Sequence, residues 1–68
     1  MSKYKILIFH VLKENRLMST NEVAKELQNV NAGKIVNWHM LYKILDDLSD
    51  EGKIEKIKTK AGYFWKLR

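Results

Sequence analysis

At Gly52 the hydrophobic pattern of this chain changes period, and no other feature restricts its fold as strongly. Upstream, Leu41, Ile44, Leu45 and Leu48 stand at i, i+3, i+4 and i+7, which is one face of a helix. Downstream, Tyr63, Trp65 and Leu67 alternate with Phe64, Lys66 and Arg68, the two-residue period of a strand. Gly52 sits where a left-handed helix C-cap belongs. A chain of 68 residues encloses too little volume for two cores, so helices and strands must share one, in a single α+β domain spanning 1–68.

The helical part divides by its own punctuation. Tyr4, Leu7, Ile8, Val11 and Leu12 form an apolar stripe that predicts a first helix from about Ser2 to Asn15. Ile6 and Phe9 fall off that stripe. Either they form a surface for a homodimer, or helix 1 is central and enclosed by its own chain. Arg16, Leu17 and Met18 suffice for one short edge strand. Ser19 and Glu22 then have the spacing of a capping box, with Met18 and Val23 as its hydrophobic staple, so a second helix starts there and ends near Asn29. A connector containing Gly33 runs to Val36. Asn37 can cap a third helix, stapled by Val36 and Leu41; the other candidate start is near Ala32. After Gly52, Lys53 to Lys58 and Tyr63 to Arg68 read as a hairpin about a turn at Thr59 to Gly62. Ile54 and Ile57 point to opposite faces and leave the register of its first strand open.

Charge follows the same division. Residues 1–52 carry equal numbers of acids and bases, whereas Lys53, Lys56, Lys58, Lys60, Lys66 and Arg68 face Glu55 alone, so the last stretch holds the whole net charge of +5. This points to a polyanionic partner near the C-terminus. The chain has no cysteine, and Lys3 and Lys5 interrupt the one apolar stretch near the start. Neither a disulfide scaffold, a thiolate zinc site, a signal peptide nor a membrane span is expected, and a cytoplasmic, nucleoid-associated location is. His10 and His39 lack metal-ligand spacing, and the acids Asp46, Asp47, Asp50 and Glu51 read as a solvated helix face. With no phosphate loop, nucleophile elbow or acid/base pair, the expectation is a binding protein without cofactor, metal or enzymatic activity.

Helix, short strand, capped helix, connector, helix, basic hairpin: this order resembles the winged helix-turn-helix superfamily. Ser19 to Leu27 match the first helix of the motif, Asn37 to Ile54 the recognition helix running into the wing, and Lys56 to Leu67 the wing. Leu45, Leu48 and the run Glu51 to Ile54 are its most typical piece, while the connector is longer than usual. The resemblance implies sequence-specific binding of double-stranded DNA and a role in transcription regulation. The recognition helix, about 37–51, would enter the major groove, and the wing, 53–68, would lie on backbone or minor groove.

Physical chemistry agrees with that division of work, because a helix fits the major groove and its N-terminus favours phosphate. The expected contacts at the leading end are Lys34, Asn37, Trp38, His39, Tyr42 and Lys43. Asn37 and Lys43 suit base edges; His39 and Tyr42 suit sugar and phosphate. For Trp38, packing back on helix 2 is the favoured reading. Lys56, Lys58, Lys60 and Lys66 would neutralise phosphates, and four such contacts predict roughly a hundredfold loss of affinity between 50 and 200 mM salt. Tyr63 and Trp65 read as sheet-face core, with stacking on unpaired bases the less favoured use. A protein-binding module whose wing meets an acidic partner is the alternative, since fold does not dictate function.

Overall fold

Ser19 ends a strand and caps a helix, and this double duty fixes how helices meet sheet. In the computed structural model, which describes residues 3–12, 16–31, 33–34 and 36–68, the Ser19 hydroxyl accepts the Glu22 N–H at 3.1 Å. The Glu22 carboxylate accepts the Ser19 N–H at 3.2 Å in return. The capping box therefore forms as its spacing dictates. The helix it opens, α2 (Thr20–Val30), follows α1 (Lys3–Val11) and the two-residue strand β1 (Met18–Ser19). Then come α3 (Trp38–Asp50), β2 (Ile54–Thr59) and β3 (Gly62–Leu67). Three helices and a three-stranded antiparallel sheet of order β1-β3-β2 make the α+β arrangement that the sequence predicts.

Several boundaries shift. The expected ends of helix 1, Ser2 and Asn15, lie outside the described residues. The edge strand forms at Met18 and Ser19 rather than from Arg16, since Met18 pairs with Trp65 and Ser19 with Phe64. α2 runs one residue past Asn29, and Asn31 caps it by donating its N–H to the carbonyls of Leu27 and Gln28. Asn37 caps α3, its Oδ1 accepting the Met40 N–H at 3.1 Å. Ala32, the other candidate start, lies outside the described residues, and Gly33 and Lys34 are not helical. At its far end α3 closes in a Schellman arrangement: Lys53 donates to Leu48 O and Gly52 to Ser49 O, both at 3.0 Å, with Gly52 at φ +77°. The hairpin turn is tighter than expected, because Thr59 and Gly62 pair and leave only Lys60 and Ala61 between the strands.

The sheet puts one face on the helices. Trp65 and Ile54 are fully buried there with Met18, against Ile8, Val23, Leu27, Leu41, Leu45 and Leu48. Each such side chain contributes roughly 1.5–3 kcal/mol on burial, more than any surface ion pair in the molecule can. The pairing of Ile54 with Leu67 and Ile57 with Phe64 settles the register left open by sequence. Ile57 goes to the outer face, where it covers Phe64, and both are half-buried. On α1, Ile6 is 56% exposed while Phe9 packs against the core. Of the two residues off the stripe, Ile6 is thus the exposed one and Phe9 the half-buried one.

Candidate nucleic-acid interface

Three pieces of chain converge at one end of the molecule: the first turn of α2, the N-terminal half of α3 and the tip of the hairpin. Between them lies a cleft of about 330 Å³, lined by Ser19, Thr20 and Asn21, by Trp38 and Tyr42, and by Ala61, Gly62, Tyr63 and Phe64. A line of aromatic rings descends through it. Trp38 is 44% exposed and sits 6.5 Å from Tyr42, Tyr42 meets Tyr63 edge-on at 6.4 Å, and Tyr63 lies 6.2 Å from the fully buried Trp65. These separations are those of favourable ring pairs.

Thr20 anchors the line from below. The Trp65 indole N–H donates to the Thr20 hydroxyl at 2.7 Å, and that hydroxyl donates to the Tyr63 carbonyl at 3.2 Å. A buried indole N–H without an acceptor costs about 1–3 kcal/mol, so this contact fixes α2 against β3 and with it the width of the cleft. Sequence reasoning missed Thr20. A threonine inside a capping box carries a local explanation already, and nothing in the chain order marks a partner 45 residues away.

The candidate contacts separate into groups. Asn37, Trp38, His39, Tyr42 and Lys43 are all exposed, so the leading end of α3 is open to a partner. Trp38 is 44% exposed, pairs with Tyr42 one turn along its own helix, and shares the cleft with the first turn of α2. Asn37 spends its Oδ1 on the helix cap, which leaves its amide N–H groups and removes the two-point contact to a base that a free Asn makes. Lys58 stands opposite Tyr63 in the ladder, on the same sheet face, and Lys60 occupies the turn beside Ala61. Both are exposed, and neither has an ion pair among the described residues.

Three other lysines are placed differently. Lys56 shares the inner sheet face, but its ammonium bonds Asp46 of α3 at 2.8 Å and lies 4.5 Å from the centre of the Tyr63 ring. The Asp46 hydrogen bond holds the Lys56 ammonium above the ordinary lysine pKa. Lys56 is thus a tie between wing and helix, with its charge answered inside the molecule. Lys66 pairs across the ladder with Glu55 on the outer face, away from Lys58. Lys34 is exposed in the connector, its N–H donating to Asn31 O, with no described contact to the cleft.

Further ion pairs close the opposite end of α3. Glu51 accepts Lys5 of α1 at 2.8 Å and Lys53 at 3.2 Å. Those hydrogen bonds, Lys5 first, pull the Glu51 carboxyl below its ordinary range, and the same contact raises Lys5. Among the described residues no group of three or more acids and histidines is arranged to hold a metal ion, and no helix is long and apolar enough to cross a membrane.

No protein-family model matches the chain, and no curated protein sequence does. Two solved structures are similar. The Vibrio cholerae ferric uptake regulator, a protein described as having DNA-binding domains, aligns with a TM-score of 0.81 at 21% identity over 100% of this chain and 53% of its own. HOP2, described through its DNA recognition and protein interaction domains and its homologous DNA pairing, aligns with a TM-score of 0.74 at 25% identity over 93% of this chain and 94% of its own. The chain therefore spans about half the length of the ferric uptake regulator and nearly all of the HOP2 domain. Three helices followed by a hairpin wing, in the arrangement of both neighbours, give this chain the winged-helix fold.

Proposed function

We propose that this domain binds double-stranded DNA with sequence preference and acts in transcription regulation, without catalysing a reaction. The N-terminal half of α3 enters the major groove, and the wing tip follows the adjacent backbone. One observation carries the reading: Tyr42, on the exposed N-terminal half of α3, meets Tyr63 of the wing edge-on at 6.4 Å, which brings that helix end beside the strand pair that carries the exposed Lys58. The DNA-binding character of both structural neighbours supports it. Lys43 is the residue placed to read a base edge, while Lys58 and Lys60 neutralise phosphates.

The test is selection of bound duplexes from a random pool, repeated with Lys43→Ala and Lys58→Ala. Lys43→Ala should relax the selected consensus, and Lys58→Ala should weaken all duplexes alike while leaving the consensus in place. Absence of any duplex binding at low salt overturns the reading in favour of a protein-binding module. Exposed Asp47 and Asp50 on α3 are the feature that favours that second reading, since acids repel a phosphate groove. One recognition helix reads few base pairs, so a second copy docking on α1 through Ile6 would extend the site. Sedimentation as a monomer at tens of micromolar overturns that part alone.

A further inference from the structure

We infer that the cleft between α3 and the wing receives one unpaired nucleobase, so that the domain prefers duplex carrying an extrahelical base to the same duplex fully paired. This rests on the DNA-binding reading above and adds to it a second recognition element. The cleft volume, about 330 Å³, is at the lower end of the range for small-molecule sites, which suits one planar ring system. Its walls include the rings of Trp38 and Tyr42, which stand 44% and 37% exposed although large aromatics usually find cover. Trp38 rests on Tyr42 and Tyr42 on Tyr63, and Thr20 fixes Tyr63 and Trp65, so the aromatic wall is built before anything enters.

Charge selects the occupant. No carboxylate lines the cleft among the described residues, and Lys58 and Lys60 adjoin the lining residues Tyr63 and Ala61. An apolar peptide side chain needs no such cations, whereas a base arrives with phosphates on both sides. Aromatic walls with cations at the rim are the combination that holds unpaired bases. The Thr20 hydroxyl is already engaged by Trp65 and Tyr63, so it has little left to offer a base edge. Recognition accordingly rests on stacking, with the exposed Asn21 amide in the lining able to meet a base edge. A paired base cannot reach the slot without leaving its stack, and an extrahelical one has already done so.

The experiment compares the full chain on two duplexes of identical sequence, one with a single extrahelical adenine, by fluorescence anisotropy and by tryptophan emission. Tighter binding of the bulged duplex by about tenfold is expected, with emission quenched by that duplex only, because Trp38 is exposed and Trp65 is enclosed. Asn21→Phe fills the cleft from the exposed first turn of α2 and should bring the bulged duplex down to the affinity that the same variant has for paired duplex. Trp38→Leu should remove both preference and quenching, and thermal melting checks that each variant folds. Equal affinity for the two duplexes, or a preference that survives in folded Asn21→Phe, overturns the inference and leaves duplex binding standing. Binding to bulged or single-stranded DNA without paired duplex overturns the duplex reading and keeps the slot. Binding to none overturns both.

Discussion

The two ends of α3 spend the same kinds of residue in opposite ways. At the C-terminal end, Lys5, Lys53 and Lys56 are drawn to Glu51 and Asp46, and charge is neutralised within the molecule. At the N-terminal end and the wing tip, Lys43, Lys58 and Lys60 are exposed and have no ion pair among the described residues. A count of lysines along the wing treats Lys56 and Lys58 as equivalent, yet a two-residue step carries one beside an acidic turn of helix and the other beyond it. Net charge thus locates a partner only after internal pairing has been subtracted.

The largest expected effect concerns what holds the open end together. Thr20→Val keeps shape and leaves the Trp65 N–H without its acceptor, which should cost about 1–3 kcal/mol in urea unfolding. An unchanged midpoint would show that packing alone sets the cleft. Next, Lys58→Ala with Lys60→Ala should flatten the dependence of log affinity on log salt by about 1.8, if each lysine meets one phosphate. Lys5→Ala, at the other end, should leave that slope as it is. A comparable change from Lys5→Ala would erase the distinction between the two ends.

Lys56→Ala sharpens the comparison from inside the wing. It should lower stability by no more than about 1 kcal/mol, as expected for a solvent-accessible pair, and barely alter the salt slope. A slope change equal to that of Lys58→Ala would place Lys56 among the phosphate contacts after all. The smallest effect is in acid. With its carboxyl held below the ordinary value near 4.3, Glu51 contributes stability that is full above that value and fades as pH falls through the lowered one. Lys5→Ala should move the Glu51 titration back towards the ordinary value, leaving only the Lys53 contribution, and carboxyl NMR would report it.

Local chemistry was legible in the sequence wherever partners lie within a few residues. Ser19 with Glu22, Asn37 at the start of α3 and Gly52 at its end all do what their spacing dictates, because each satisfies backbone groups of its own helix terminus. Alternation likewise put Trp65 in the core. The candidate site was less legible. Packing back on helix 2 was the favoured reading of Trp38, and nothing along the chain marked its ring contact with Tyr42 or its 44% exposure, which follow from how α3 sits in the fold. For Phe9 the sequence left a homodimer surface and an enclosed helix both open, and the structure packs it, half-buried, against the core.

By itself, then, the sequence determined three helices with the caps of the second and third, a basic hairpin, and an apolar stripe on each helix and on the second wing strand, because period and capping depend on neighbours along the chain. Tertiary structure alone decided which lysines remain available to a partner, which aromatics stay in solvent, and that a threonine at the start of α2 would hold a tryptophan near the end of β3. Those outcomes depend on ladder register and helix packing, which bring together side chains too far apart in sequence for any local pattern to encode.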